Sequence, residues 1–420
     1  MKKGFLTFLT VCTTLTCQAE EYFFKPLISA SERYTDNLFL FVDPEQDNWI
    51  TTVSPGVNFG VRHENGELNT NFTWNQLFYT NQSELNIDEQ LFGANYQHQT
   101  ERFKWEMDAS YNNRASLNST GTDIGLVFQQ VMRSDLTLAP SVTYALSPRS
   151  TLAFDYSYNE VTYEKSNSLG NNIFLSDYDY HQASGTFNHL YTELDKLSLT
   201  LSSSRYHSPS EFAQQTTYNN VAQVGWQHTF NEKWVAFAAV GANYSQSNVT
   251  QQIPDLCFFG NVLVDISPCP SFAPFRFVAA EEVTTQKSGF GQVYRGFVQK
   301  TFDHGGFSAS GSQNQTPSAQ GLQTQTELAV NGYYTINERW SSSITANYSI
   351  YEMTGQRNSQ LNRTYYTISP AVSWRWTPEI NLDLSYTYRQ QEFDGGSQPA
   401  IGNSVQLQFN YQPQTNYQVK

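Results

Sequence analysis

The feature that most constrains this chain is a strict alternation of apolar and polar residues over positions 364–389. A short turn at Thr377-Pro378-Glu379 divides the stretch into two segments. The apolar row comprises Tyr366, Ile368, Pro370, Val372, Trp374 and Trp376 before the turn, and Ile380, Leu382, Leu384, Tyr386 and Tyr388 after it. Because successive side chains of a β-strand point to opposite faces, the pattern predicts a hairpin with one apolar and one polar face.

The same unit recurs along the chain, with aromatic residues near the strand ends, and this recurrence argues against a soluble two-sheet sandwich. Strands are predicted to begin near Pro26, Ile50, Leu68, Gln90, Phe103, Asp135, Thr151, His181, Leu197, Val221, Trp234, Gly289, Phe307, Thr326, Trp340, Thr364, Ile380 and Ser404. Short turns alternate with long polar loops around Asp43, Asn118, Asn171, Pro209, Cys257, Pro317, Arg357 and Gly395. The sequence therefore predicts an all-β fold, a transmembrane antiparallel up-and-down β-barrel of about 18 strands.

The composition suits a barrel and excludes a helical membrane protein. The chain has 420 residues, a net charge of −14 and a mean hydropathy of −0.51. No apolar run reaches the roughly 20 residues that a membrane helix needs. A barrel tolerates such polarity because only every second residue of a strand faces lipid. A soluble chain of this length would divide into domains, and no change in composition marks a linker.

Residues 1–19 are predicted to be a secretory signal peptide, followed by one barrel domain over residues 20–420. Two lysines precede an apolar core, and the small residues Cys17 and Ala19 fit cleavage after Ala19. The alternative is a lipoprotein signal acylated at Cys17. Loss of two of the 24 basic residues would move the net charge from −14 to −16. The predicted location is the outer membrane of a Gram-negative cell, with both termini periplasmic.

Cys257 and Cys269 are the cysteines that remain after such cleavage, and in an exported chain they predict a disulfide. Both fall in the longest predicted loop, at about 249–286. The apolar cluster of this loop would be an association hazard if it were exposed to water. Two interpretations are open, namely a lid or constriction over the pore held by the disulfide, and a self-packed surface loop without a gating role.

Charged residues on the predicted polar rows are candidates for facing an aqueous lumen. They are Arg62, Lys104, Glu106, Asp108, Asp155, Arg375, Asp383 and Arg389. Barrels of about 16 to 18 strands can enclose a water-filled channel, and the charges that face it tune its selectivity. The alternative is that these residues pair with one another in the wall and have no role toward solutes. The carboxylates and the acidic total charge predict a weak preference for cations.

The sequence predicts neither an enzyme nor a nucleic-acid-binding protein. The histidines are His63, His98, His181, His189, His207, His228 and His304. Their spacing does not match a metal-ligand set, and the acidic balance disfavours nucleic acid. A lipase site on the lipid-facing wall would need a serine beside a histidine base. His228 could face outward, but serine-rich strands form such pairs by chance, so no catalytic residue, metal or cofactor is predicted.

Two segments resemble the N-terminal signature of the β-barrel porin 2 family. The first runs from Pro26 through Ser31-Glu32-Arg33-Tyr34-Thr35-Asp36-Asn37, and the second comprises Trp49-Ile50-Thr51-Thr52-Val53-Ser54-Pro55-Gly56 and Leu77-Phe78-Tyr79. That family includes outer-membrane proteins of the PEP-CTERM/exosortase system and barrels encoded with exopolysaccharide synthesis clusters. The resemblance covers about the first 110 residues. It departs at Arg33, where many members carry threonine, and at Glu64-Asn65-Gly66-Glu67, where a glycine-rich turn ending in arginine is usual.

Three functions are open. The resemblance implies a channel or accessory barrel that secretes exopolysaccharide, with polysaccharide and separate periplasmic export components as partners. The alternatives are a general or small-solute porin and a closed structural or adhesive barrel whose surface loops do the work. Outer-membrane lipid is a predicted partner in all three cases.

Overall fold

The computed structural model describes residues 21–116, 130–164, 175–209, 213–253, 256–259, 262–264, 275–278, 281–319, 321–353, 362–396 and 398–413. The strands within these ranges form an 18-stranded sheet and a separate three-stranded sheet. A short 3₁₀ helix, Ser83–Leu85, follows the third strand.

The barrel strands are β1 (Glu21–Thr35), β2 (Asn48–His63), β3 (Gly66–Tyr79), β4 (Ile87–Gln99), β5 (Phe103–Ala115), β6 (Met132–Ser147), β7 (Ser150–Tyr163), β8 (Tyr178–Leu190), β9 (Asp195–Pro209), β10 (Ala213–Asn231), β11 (Trp234–Ile253), β15 (Glu281–Phe302), β16 (Gly305–Ser318), β17 (Gly321–Thr335), β18 (Trp340–Met353), β19 (Arg363–Arg375), β20 (Ile380–Phe393) and β21 (Ala400–Tyr411). The short strands β12 (Leu256–Phe259), β13 (Val262–Val264) and β14 (Phe275–Val278) form the second sheet.

The barrel is closed by its first and last strands. Each barrel strand pairs antiparallel with the next one along the chain, and β21 pairs antiparallel with β1 from Ile28–Tyr411 to Thr35–Ser404. The predicted fold class, an antiparallel up-and-down barrel of 18 strands, is therefore confirmed. Each predicted strand start falls inside one observed barrel strand.

The exterior of the barrel is apolar. Leu384 and Leu407 are directly paired across β20 and β21, and their side chains are 52% and 53% exposed. Near the ends of β18 and β19, Trp340 and Trp374 stack with ring centres 5.5 Å apart, and Trp376 adds a second contact at 6.2 Å. An apolar belt bordered by aromatic rings is the surface that a membrane barrel presents to lipid.

Among the described residues, no helix is long and apolar enough to cross a membrane.

The two ends of the barrel differ in their connections. One end carries short turns and is called the turn end, and the other carries the longer connections and is called the loop end. Two similar turns at the turn end have the same local structure. Asn231 Oδ1 accepts the Lys233 backbone N–H at 2.9 Å, and Asn337 Oδ1 accepts that of Arg339 at 2.8 Å. These side-chain bonds stabilise the chain reversal without help from the rest of the barrel.

Two predictions about the loop end are wrong. A long polar loop was expected around Pro317, but β16 continues to Ser318 and β17 begins at Gly321. A long polar loop was also expected around Pro209, but β9 continues to Pro209 and β10 begins at Ala213. The longest connection does lie at about 249–286 as expected, although β11 extends to Ile253 and β15 begins at Glu281. Polar residues occupy both faces of these strand ends, so they lack the alternation that marks a strand in the sequence.

The predicted disulfide falls largely outside the described residues. Cys257 belongs to the backbone of β12, while its side chain and the whole of Cys269 lie outside that part of the structure. The disulfide and the lid interpretation of this loop stay predictions.

Candidate functional site

The inner face of the barrel is defined by side chains that pair directly across neighbouring strands, since directly paired residues share a face. One such row at the turn end passes from Glu21 to Arg62, Glu67, Gln97, Glu106, Ser141, Asp155 and Ser184. Lys104 and Asp108 lie two positions from Glu106 and share its face. On β19 and β20 the same face carries Arg375, Asp383 and Arg389.

Most of the predicted lumen charges have partners in the wall. Arg62 binds Glu67 with nitrogen–oxygen distances of 3.0 and 3.3 Å, and Lys104 binds Glu106 at 2.6 Å. The other carboxylates accept hydrogen bonds from neighbouring strands: Asp108 from Asn95 at 2.7 Å, Asp155 from Ser184 at 3.1 Å and Asp383 from Asn410 at 2.6 Å. Half-exposed ion pairs such as Arg62–Glu67 and Lys104–Glu106 contribute little to stability, and their side chains remain in contact with the solvent of the lumen.

The connection between β1 and β2, residues 36–47, folds into the loop-end mouth. Leu38 is buried against Ile50, Leu77 and Tyr79, which are inner-face residues of β2 and β3. The Asn37 side chain fixes the connection to the wall, because its Nδ2 donates to the carbonyl oxygens of Phe41 at 2.6 Å and Ile401 at 2.9 Å. This inward connection reduces the open area of the mouth.

A second intrusion comes from the tip of the β16–β17 hairpin, whose described residues are Ser318, Ala319, Gly321 and Leu322. Ala319 and Leu322, each 1% exposed, pack against Tyr178 and Tyr206 of β8 and β9. The Tyr206 hydroxyl donates to the Ser318 carbonyl oxygen at 3.0 Å, and the Ser176 N–H donates to the Ala319 carbonyl oxygen at 3.2 Å. Since β10, β11 and β15 lie between β9 and β16 in the sheet, the hairpin tip reaches this wall through the interior.

The hairpin rests on a buried polar layer of β10 and β11. Thr217 donates to Ser247 at 2.9 Å, and Asn243 donates to Asn219 at 3.0 Å. The hydroxyl of Ser245 lies 2.9 Å from Oε1 of Gln315 on the hairpin. Buried polar groups are stable only when they are hydrogen-bonded, so this layer specifies where the hairpin sits.

The close approach of the hairpin tip to β10 requires glycine at position 321. Its φ of +127° belongs to a region that L side chains rarely adopt, and a Cβ there would lie 2.8 Å from Gln215 Oε1. Glycine is the residue that meets both conditions. The turn between β16 and β17 is thus built to lie against β10.

Arginines line one side of the mouth. Arg363 is 3% exposed, its guanidinium carbon lies 4.6 Å from the centre of the Tyr351 ring, and it donates to Gln391 at 3.3 Å. Arg389 donates to the Asn37 carbonyl oxygen of the inward connection at 3.1 Å. Arg33 shares the inner face on β1. These cations therefore lie at the narrowed part of the lumen, whereas Glu106, Asp155 and Asp383 lie toward the turn end.

A cluster of charged side chains lies on β5 and β6 near the loop end of the barrel. Arg133 binds Asp135 at 2.7 Å, with both side chains buried. Asp135 also accepts from Asn112 at 3.0 Å and lies 3.8 Å from Arg114. A carboxylate that is paired and hydrogen-bonded in this way offsets the cost of its own burial.

A cavity of about 760 Å³ lies in the lumen beneath the hairpin. Its walls come from strands on both sides of the intrusion, and hydroxyl and amide side chains dominate them. They include Asp155, Gln182, Thr200, Asn219, Arg295 and Gln315. The volume suits a small molecule, and the lining suits a hydrophilic one.

Four histidines of the described strands form polar pairs on the lipid-facing rows, His181 with Tyr156, His189 with Ser150, His207 with Thr216 and His228 with Asp195. His228 lies 2.7 Å from the Asp195 carboxylate, between the rings of Trp226 and Phe230. Ser150 Oγ lies 3.0 Å from Nδ1 of His189. In the described part of the chain no carboxylate or amide orients the other nitrogen of His189, as a hydrolytic triad would require. These pairs fit the polar border of the membrane belt.

The described residues contain no group of three or more His, Cys, Asp or Glu side chains that could hold a metal ion. At the turn end, the Lys233 ammonium donates to Asp303 at 2.6 Å, and this hydrogen bond lowers the pKa of the carboxyl from its ordinary value.

The two intrusions were not predicted from the sequence. Leu38 opens the apolar run Leu38-Phe39-Leu40-Phe41-Val42 between two strands, whereas Ala319 and Leu322 are isolated apolar residues near strand ends, a pattern that any surface loop can show. The Gly321 after a run of polar residues was a possible signal of a tight turn. Its partner Tyr206 could not be found without the structure.

No protein-family model matches the chain, and no curated relative matches its sequence. Some solved structures match most of the chain at low sequence identity. They include the ferric-catecholate import receptor Fiu of E. coli K12, at 7% identity and a TM-score of 0.48 over 92% of this chain and 81% of that one. They also include the outer-membrane channel DcaP of Acinetobacter baumannii, at 13% identity and a TM-score of 0.43 over 94% of this chain and 98% of that one. OpdO of Pseudomonas aeruginosa matches at 9% identity and a TM-score of 0.41, over 93% of this chain and 97% of that one.

Proposed function

We propose that this protein is an outer-membrane channel that passes small hydrophilic solutes through a lumen narrowed at its loop end. The observation that carries the proposal is the pair of intrusions, residues 36–47 and the tip of the β16–β17 hairpin, above a polar cavity of about 760 Å³. An apolar exterior and a polar interior are the features of an aqueous pore in a membrane.

The narrowed mouth favours small solutes over a polymer. A polysaccharide chain would have to pass the hairpin tip, which is held to β9 by the Tyr206–Ser318 hydrogen bond and by packing against Tyr178. Exopolysaccharide secretion, implied by the family resemblance, would require the hairpin to leave this position. A small solute requires no such movement.

The orientation follows the usual rule for these barrels, short turns in the periplasm and longer loops outside. The loop end, with both intrusions, would then face the exterior, and both termini would lie in the periplasm. In this orientation a solute arriving from outside meets the arginines of the mouth first.

The test is conductance and solute uptake by the purified protein. In planar bilayers we expect discrete single-channel steps, and in liposome-swelling assays we expect entry of monosaccharides with a steep loss of rate for longer oligosaccharides. Equal rates for long and short oligosaccharides would favour a polymer channel instead. A protein that inserts but shows no conductance and no swelling would be a closed structural or adhesive barrel.

A further inference from the structure

The wall of the barrel is incomplete between β15 and β16. The ladder that joins these strands runs from Phe302–Gly305 to Tyr294–Gln313. On its other side β15 continues to pair with β11 as far as Ile253–Glu281. Ser288–Val293 therefore have ladder partners on β11, and the described residues provide none on the β16 side. We call this interval the seam.

The seam exists because β16 bends into the lumen. Gln313 is paired with Tyr294, a residue of the lipid-facing row that is 41% exposed. By alternation Gln315 belongs to the same outer row. Its side chain nevertheless meets Ser245, which lies on the inner face of β11. The outer row of β16 has thus passed behind β11 and β15, where it lies on their inner surface.

A crevice of about 760 Å³ fills the seam. Inner-face residues of β11, among them Asn243 and Ser247, form its floor. Its outer rim includes Phe290 on β15 and Glu352 on the outer row of β18. A crevice lined by both faces of the barrel wall crosses that wall.

Only a thin partition separates this crevice from the lumen. The lumen cavity and the crevice share three lining residues, Val293, Asn314 and Gln315. The partition includes the Gln315–Ser245 contact of 2.9 Å, one hydrogen bond between neutral groups. Such a bond contributes about 1 kcal/mol, so its removal should make the partition easier to open.

The outer end of the crevice lies at the border of the lipid belt. Phe290 and Tyr244 contact each other at 5.0 Å on the lipid-facing side, as aromatic rings do at a membrane interface. Beyond them the outer rows of β11 and β15 are polar, as shown by the Thr250–Thr284 hydroxyl pair at 3.0 Å. The crevice therefore opens to water at the membrane surface.

From these observations we infer that the seam is a second, lateral opening of the channel, through which a small hydrophilic solute passes between the lumen and the membrane surface. The amide and hydroxyl groups of Asn243, Ser247 and Gln315 would replace the water around a solute of this class. The inference rests on the proposed channel function and adds a route that bypasses the narrowed mouth.

The test uses chemical modification at Gly289, which lines the crevice and where an added Cβ would meet nothing within 4 Å. Gly289→Cys is treated with a negatively charged, membrane-impermeant methanethiosulfonate while single-channel conductance is recorded. We expect a partial loss of conductance, since the axial route stays open. Wild type under the same reagent controls for the native cysteines, and Glu338→Cys, in an exposed turn between β17 and β18, controls for modification outside the crevice.

A second variant tests the partition directly. Gln315→Ala removes the contact with Ser245 and should raise conductance, whereas Gln299→Ala, in the fully paired part of β15 and outside the lining of the crevice, should not. Complete modification of Gly289→Cys without loss of conductance, together with wild-type conductance in Gln315→Ala, would overturn the lateral route while leaving the channel function intact. An unmodified barrel without conductance would overturn both.

Discussion

The Tyr206 hydroxyl donates a 3.0 Å hydrogen bond to the carbonyl oxygen of Ser318, a residue 112 positions further along the chain. Tyr206 is 1% exposed and Ser318 is 2% exposed, so water does not compete for this bond. Three barrel strands lie between β9 and β16. This contact is consequently the point at which the inward hairpin is fastened to a part of the wall four strands away.

Removal of this hydroxyl should loosen the hairpin. In Tyr206→Phe the aromatic packing stays while a buried hydrogen bond of about 1 kcal/mol is lost, which changes the ratio of seated to released hairpin about fivefold. We expect more frequent transitions to a higher-conductance level in single-channel recordings. Tyr348→Phe, on the lipid-facing row and 39% exposed, is the matched control. Identical gating in both variants would mean that the hairpin is not the constriction.

Charge at the narrowed mouth should control ion selectivity more strongly than charge near the turn end. Arg389 and Asp383 lie six positions apart on the inner face of β20, and only Arg389 contacts the inward connection, through Asn37. Arg389→Gln should move the reversal potential toward cation preference, and Asp383→Asn should move it by less, toward anions. Reversal potentials measured across a salt gradient give both signs. A larger shift for Asp383→Asn would place the selective region at the turn end.

The buried charge cluster on β6 should matter for stability. Asp135→Asn leaves the buried guanidinium of Arg133 without its 2.7 Å carboxylate partner, and breaking a buried pair costs about 3–5 kcal/mol. We expect a lower urea midpoint for unfolding from detergent or liposomes. Asp303→Asn removes an exposed pair at the turn end and should leave the midpoint unchanged. Equal midpoints for the two variants would contradict this account of Asp135.

Neighbouring residues of β20 should respond oppositely to the same substitution. Leu384 is on the exposed apolar row and Ser385 on the inner row. Arginine facing lipid near the bilayer midplane costs about 2–4 kcal/mol, so Leu384→Arg should reduce the yield of folded barrel in liposomes. Ser385→Arg should fold normally and alter conductance. If both variants fold equally well, the assigned lipid-facing row is incorrect.

The orientation can be tested on intact cells. Cysteine at Glu45, in the connection that enters the loop-end mouth, should react with an impermeant maleimide. Cysteine at Glu338, in a turn at the opposite end, should react only after the outer membrane is permeabilised. The reverse pattern would place the turns outside and the intrusions in the periplasm.

The sequence by itself determined the wall of this barrel. Strand number, pairing order and the division into apolar and polar faces follow from the two-residue period, because lipid outside and polar groups inside impose opposite demands on neighbouring positions. The two-residue period requires apolar residues to pair with apolar ones across strands, and polar residues with polar ones. The cross-strand pairs Trp374–Leu382, Leu384–Leu407 and Asp383–Gln408 follow this rule. The short turns could also be predicted from the sequence. The hydrogen bonds that stabilise them, such as those to the side chains of Asn231 and Asn337, join residues only two positions apart.

Only the tertiary structure decided what occupies the lumen. At the strand ends beyond the lipid belt both faces are polar, so the period disappears, and with it the information that fixes where β11, β15 and β16 end or bend. The inward path of β16 depends on contacts such as Tyr206–Ser318 and Ser245–Gln315, which join residues far apart in the chain. No local sequence pattern encodes such pairings, because these residues meet only once the curved sheet has formed and β16 has folded over the inner surface of the neighbouring strands.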